Sequence, residues 1–293
     1  MASALTAHVE EWAGEDVELD EVEQALCRLR DESAHETAGP DLRTSVMTHL
    51  AWVPEEWHEA ATDTLAGLGE RHPSRGILLF PVPSANDGID AKVSVLAFPL
   101  REERRHIAAE VIELRLCGRR AQAPASIVNP LLVSGLPVFL RWRGRPDFGQ
   151  PETEQLLDVC DRFIVDSREW PDVPEAYAEI PFERAGCSDI AWRRTEPWRR
   201  VLAGLWPGIA ETRDLRVRGP VAEAALLAGW LRSRLDRDVR LEHESSDALE
   251  EVALDGEECP SPSESPTPSD LLSAELDEFG RDPVYETSAR AAR

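Results

Sequence analysis

The chain has 293 residues, 56 of them acidic and 32 basic, giving a formal net charge of −24. So acidic a chain disfavours nucleic-acid backbones and anionic membranes as partners, because both carry charge of the same sign. Its length predicts one large or two ordinary domains, each with enough chain to close a core.

Residues 1–17 read as an acidic tail, and 17–30 as a helix with Leu19, Val22, Leu26 and Leu29 on one face. Gly39-Pro40 breaks the chain. Residues 46–53 predict a strand, 55–70 a helix, and the apolar run 76–82 a buried strand. Two further strands are predicted at 91–99 and 110–116. They are followed by a short helix at 127–133 with Pro130 in its first turn, a strand at 137–142, a helix at 152–160 and a strand at 162–165. Strands alternating with helices predict an α/β domain over 44–167 with a largely parallel sheet, behind an acidic arm and helix at 1–43. The proline-rich segment 167–179 reads as a crossing linker.

A smaller α/β domain is expected over 168–293. It would hold a helix at 196–206, a strand at 215–217, the apolar helix 221–235 and a strand at 239–242. The acidic Pro/Ser-rich stretch 243–269 reads as a flexible linker. A last helix, 271–279, would be capped by Ser269.

Lys92 is the only lysine, so the other 31 bases are arginines. Their distribution is uneven. Residues 1–40 carry eleven acids and two arginines, 242–282 fourteen acids and one arginine, and 184–240 twelve arginines and seven acids. The basic stretch reads either as a binding surface or as the intramolecular partner of the acidic arms. The five cysteines form no CxxC pair and no zinc spacing with histidine, and an odd number fits free thiols in a reducing cytoplasm. No signal peptide is apparent, and the longest apolar run, 127–140, is broken by Asn129, Pro130, Gly135 and Pro137. A cytoplasmic protein without a membrane span is expected.

Catalytic motifs are not evident. The only GxG, Gly67 to Gly69, ends a helix instead of following a strand, so no dinucleotide cofactor is expected. There is no phosphate loop, and Gly186 to Asp189 lacks the second glycine of a nucleophile elbow. His58-Glu59 lacks the second histidine of a zinc helix, so no metal is expected either. Arg71, His72 and Arg75 form a candidate phosphate-binding group, although a histidine at a helix end more often serves the dipole. Asp166-Ser167, after a predicted strand, read as turn formers.

The most distinctive stretch runs from Asp189 to Trp206, DIAWRRTEPWRRVLAGLW, with three tryptophans and four arginines. Thr195 before Glu196-Pro197 reads as a helix cap, and Trp198, Val201, Leu202 and Leu205 as the buried face that follows. Trp198 and Trp206 read as core. Trp192 lies ahead of the cap, so another element packs it or it is exposed. Trp and Arg are the residue types that anchor interfaces.

DIAWRRTEPWR closely resembles the signature of the glucose-6-phosphate dehydrogenase assembly proteins, the OpcA family. Segments 70–75, 126–144, 160–172, 226–235 and 271–286 are similar to further family segments in the same order. Arg141 and Arg143 depart from the pattern, standing where a tryptophan and a proline are expected. The resemblance implies a non-catalytic factor that binds glucose-6-phosphate dehydrogenase and promotes its active oligomer. Asp189, Trp192, Arg193, Arg194 and Arg199 are then the candidate partner-binding residues, with Trp198 in the core. The alternative from another class is an enzyme or sensor of sugar phosphates, with Arg71, Arg75, Arg193 and Arg194 cradling the phosphate.

The acidic segments repel one another at low ionic strength, and salt near 1 M shortens the Debye length to ~3 Å. The melting temperature should therefore rise from dilute buffer to molar KCl. A fall instead would mean that the arms lie against the arginines of 184–240, and a salt titration of the full chain tells the two apart.

Overall fold

In the computed structural model, which describes residues 8–36, 45–61, 74–99, 106–263 and 267–293, the apolar runs of the first half lie side by side as strands. The chain divides into two units, residues 1–163 and 164–293. The first contains β1 (His8–Gly14), α1 (Leu19–Glu36), β2 (Thr48–Trp52), β3 (Arg75–Val82), β4 (Gly88–Pro99) and β5 (His106–Cys117). It continues with α2 (Pro124–Leu131), β6 (Val138–Trp142) and α3 (Pro151–Val159), and the division falls within β7 (Arg162–Val165).

The first unit's strands are ordered β1-β4-β5-β3-β2-β6. β5, β3, β2 and β6 run parallel, while β4 joins β5, and β1 joins β4, antiparallel. The α/β class and the largely parallel sheet are as expected. β2 and β6 are buried along their whole length, as central strands of a parallel sheet are, although β2 carries Thr48 and His49. Trp52 and Trp142, paired in register across β2 and β6, stack with ring centroids 5.1 Å apart. Arg141, one of the two departures from the family pattern, is also buried in β6.

Glu110 on β5 is buried between Arg30 of α1, at 2.6 Å, and Arg75 of β3, at 2.9 Å. Arg75 also donates to the Leu131 carbonyl at 2.6 Å. Burial alone would raise the carboxyl's pKa, but the two guanidiniums outweigh it and hold the value below the usual range.

Several local expectations change. Residues 8–14, read as tail, form β1, paired with β4 from His8↔Ala97 to Gly14↔Ala91. Its acids hid the strand; Glu11 serves as the partner of Lys92 at 3.0 Å. α1 runs on to Glu36, and α2 begins at Pro124, which moves Pro130 from the first turn to near the end. Of the helix expected at 55–70, residues 62–70 lie outside the described residues; Glu55–Trp57 begin it as a 3-10 turn.

The second unit follows β7 with β8 (Gly186–Asp189), α4 (Ile190–Arg194), α5 (Glu196–Gly204), β9 (Asp214–Gly219) and α6 (Val221–Leu235). β10 (Arg240–Ser245), β11 (Glu251–Leu254), β12 (Glu257–Glu258), α7 (Pro268–Leu276) and α8 (Pro283–Ala291) complete it. Its small sheet is ordered β10-β9-β11-β12. Residues 222–231 of α6 are all buried, and the helix packs against α8. Gly229 permits this approach, since a Cβ there would sit 2.1 Å from the Ser288 carbonyl oxygen.

The segment expected as a linker at 167–179 instead buries Trp170 and Tyr177, whose aromatic area outweighs the local prolines. Residues within 243–269, read as flexible, form β11 and β12, because Val252, Ala253 and Leu254 bury between flanking acids. Asp255-Gly256, with φ of 50° and 89°, makes the tight turn between these two strands. α7 is capped by Thr267 through a reciprocal box with Asp270, and not by Ser269.

Glu110→Gln leaves two buried guanidiniums without a counter-charge and should cost about 3 kcal/mol in urea unfolding. Because the folded pKa is depressed, the carboxylate's contribution is complete above the unfolded value near 4.5 and is lost as pH falls below it. The variant's acid limb should therefore be shallower than that of the parent chain.

Candidate functional site

β7 ends at Val165 and presents Asp166 and Ser167; β8 ends at Asp189, the N-cap of α4. Asp189 is completely buried. Its Oδ1 accepts the Ala191 N–H at 2.8 Å, which starts α4, and the Ser167 N–H at 3.0 Å. Its Oδ2 accepts the Tyr285 hydroxyl of α8 at 3.4 Å. The Ser167 and Tyr177 hydroxyls are 2.9 Å apart. One carboxylate thus joins the end of β7, the start of α4 and helix α8.

Two more carboxylates lie beside it. Asp166 receives Arg194 in a two-pronged contact at 2.7 and 2.8 Å. Glu223, buried in α6, receives Arg168 and lies 3.9 Å from Arg194, while its Oε2 has no hydrogen-bond partner among the described residues. Three acids therefore face two guanidiniums. Burial, with the Asp166 charge, pushes Asp189 up to about 7 against the hydrogen bonds it accepts. Burial likewise pushes Glu223 up to about 7 despite Arg168 and Arg194.

The Trp/Arg stretch is built over this network. Trp192 is 3% exposed. Its indole N–H donates to Asp282 at 2.9 Å, and its ring lies 5.9 Å from that of Tyr285. Arg199 lies over the indole at 3.5 Å from the centroid; burial pushes its guanidinium down to about 10. Arg193 bridges Glu275 and Glu278 of the α7 region, each at 2.8 Å.

The structure thus brings Asp189, Trp192, Arg193, Arg194 and Arg199 together, with Asp189 and Trp192 facing inward. α8 packs Trp192, which answers the question left open by its place ahead of the cap. Thr195 occupies the start of α5 but does not cap it. Its hydroxyl donates back to the Trp192 carbonyl at 2.7 Å and accepts from Arg199 at 3.0 Å. Trp198 is buried as expected, whereas Trp206 is 63% exposed and Leu205 38% exposed. α5 ends at Gly204, so the helical face that would have buried Trp206 stops before it.

Arg71 and His72 lie outside the described residues, and the guanidinium of Arg75 is engaged by Glu110 and the Leu131 carbonyl. Sequence reasoning missed Glu223, Tyr177, Asp282 and Tyr285. Glu223 had a signal, as the lone acid within the apolar run of α6, and Asp282-Pro283 had another, as a cap followed by a first-turn proline. Among the described residues, no group of three or more His, Cys, Asp or Glu is placed to hold a metal, and no helix is long and apolar enough to cross a membrane.

The molecule is an α/β protein of two units whose Trp/Arg helix pair is fixed by internal ion pairs. Residues 66–181 match the family model described as the glucose-6-phosphate dehydrogenase subunit N-terminal domain, and residues 185–263 match that of its C-terminal domain. The chain belongs to this family, that of the OpcA proteins. Among curated relatives, the "Putative OxPP cycle protein OpcA" of Nostoc punctiforme is 30% identical over 193 residues, 60% of this chain and 41% of the relative. Proteins of the same name from Synechococcus elongatus and Synechocystis are 27% and 25% identical, covering 57% and 73% of this chain and 41% and 47% of their own lengths. The chain thus spans less than half the length of the curated relatives it matches.

Because Asp189 and Glu223 have raised folded values, the folded state keeps protons that the unfolded chain releases. Their contribution to stability is complete at low pH, declines from about pH 4.5, and is lost once pH passes the folded values near 7. The melting temperature should fall between pH 5 and pH 8. Asp189→Asn, which keeps an acceptor for the Ser167 and Ala191 N–H groups, should flatten that fall.

Proposed function

We propose that this chain is a non-catalytic assembly factor that binds glucose-6-phosphate dehydrogenase and promotes its active oligomer, at the entry of the oxidative pentose phosphate pathway in the cytoplasm. The observation that carries the reading is the family match, whose two domains are described as parts of a glucose-6-phosphate dehydrogenase subunit. The relatives' name, with its reference to the OxPP cycle, points the same way. Such a factor needs no cofactor or metal of its own. It need only bind the active assembly more tightly than the inactive one, and a tenfold preference shifts that equilibrium tenfold. The charge network favours this reading over the sugar-phosphate alternative, since Arg75, Arg193 and Arg194 are already neutralised by carboxylates.

In this reading Asp189 and Trp192 position the segment, and Arg193, Arg194 and Arg199 hold it rigid. The exposed Trp206 ring beside Leu205 is the contact that anchors the partner, as large apolar side chains next to arginines do at interfaces.

Mixing the chain with its cognate dehydrogenase should raise the rate of NADP reduction with glucose 6-phosphate and shift the oligomer distribution. Trp206→Ala should weaken association by tenfold or more, ~1.4 kcal/mol, with little change in melting temperature. Trp192→Ala should instead cost ~3–5 kcal/mol of folding as a core cavity. Unchanged rate, cooperativity and oligomer state over a wide concentration range would refute the assembly role, and wild-type association by the Trp206 variant would refute the surface.

A further inference from the structure

The first unit contains a cavity of about 680 Å3, within the range of small-molecule sites. It opens at the carboxyl ends of the parallel strands β3 and β5, where open α/β sheets bind their ligands. The antiparallel strand β4 brings charged residues to the same face. Lys92 lies directly opposite Glu113, and Asp90 opposite Arg115, so each of these two cross-strand rows presents both signs to the cavity. The His58 and Phe80 rings, with centroids 4.3 Å apart, form an apolar wall.

Not all these charges are satisfied internally. Lys92 pairs with Glu11 at 3.0 Å, and Asp90 accepts the Asp16 N–H at 3.1 Å. Glu113 and Arg115 make no hydrogen bond or ion pair with any described residue. They alternate on one strand, so they share a face with their backbones about 7 Å apart. That spacing lets two side chains reach the two ends of an α-amino-acid head group. Lys92 opposite Glu113 supplies an attraction across the strands but no hydrogen bond, so a ligand carrying both charges is the one that gives Glu113 and Arg115 each a direct partner.

We propose that this cavity binds a small zwitterion of the amino-acid class with a large apolar side chain. Arg115 takes the carboxylate, Glu113 the ammonium, and the Phe80–His58 wall the side chain. This site is separate from the Trp/Arg segment and does not depend on the assembly role.

Calorimetric titration of the full chain tests it with L-phenylalanine and L-leucine, alongside phenethylamine, which lacks the carboxylate, and 3-phenylpropionate, which lacks the amine. One saturable site for an amino acid is expected, with each single-charge analogue at least tenfold weaker. Arg115→Ala and Glu113→Gln should each remove binding while keeping the parent's melting temperature; Arg115 is exposed and Glu113 only half-buried. If either variant fails to fold, the analogue series in the parent chain still decides. No binding of either amino acid up to about 10 mM, a dissociation constant too weak to matter, would overturn the proposal. So would phenethylamine or 3-phenylpropionate binding as tightly as L-phenylalanine, or a folded Arg115→Ala chain binding unchanged.

Discussion

The second unit depends on one buried carboxylate. Asp189 starts α4, fastens the end of β7 through the Ser167 N–H, and meets α8 through the Tyr285 hydroxyl. An alanine there would leave two buried N–H groups unpaired, each costing ~1–3 kcal/mol. The placement of Trp192 follows, because α4 directs the indole towards the Asp282 that caps α8. Once the indole is placed, Arg199 can lie on it and Arg193 can span to the acids of the α7 region. The conspicuous residues of the Asp189 to Trp206 stretch are thus mostly the means by which α4, α5, α7 and α8 hold one another.

Burying three acids with two guanidiniums carries a desolvation cost that apolar packing would avoid. What it provides is geometric. A two-pronged Arg194–Asp166 contact fixes the orientation of the α4 end in a way that an apolar contact of similar area cannot. Glu110 acts similarly in the first unit, tying α1 and β3 to one point on β5, where its two partners give it a net excess of positive neighbours. Glu110 is held below its ordinary range because its two guanidiniums outweigh its burial, whereas burial drives Glu223 above its range despite Arg168 and Arg194.

Apolar periodicity made most elements legible: β3, β6, β7, α3 and α6 fall within a residue or two of the ranges the pattern implies. What failed was tied to charge. β1 and β11 were hidden because their flanking acids outweighed short apolar cores in composition, although Asp255-Gly256 is a hairpin signal in its own right. In the Trp/Arg stretch, the sequence made the helix pair legible but not the direction in which its residues face. Spacing left Trp192 open and placed Trp206 in the core; the structure buries the first and exposes the second. Trp192 is buried by a helix some ninety positions further on, at Asp282, and Trp206 lies just past the end of its own. Long-range packing of this kind leaves no periodic trace near the residue it buries.

The uneven charge of the sequence has a matching internal geometry. Acids from 242–282 meet arginines from 184–240: Glu251 with Arg216, Glu244 and Glu250 with Arg218, and Glu275 and Glu278 with Arg193. Two of these arrangements differ in kind. The Arg216 and Arg218 pairs are exposed, so each is worth ~0–1 kcal/mol and is screened by salt. The Arg193 contact to Glu275 is shielded, and screening reaches it far less. Arginines of the basic stretch are thus met in part by acids of their own chain. Beside these pairs the unit also exposes large apolar side chains, Trp206 and Phe279 most of all, which contribute nothing to its internal charge balance.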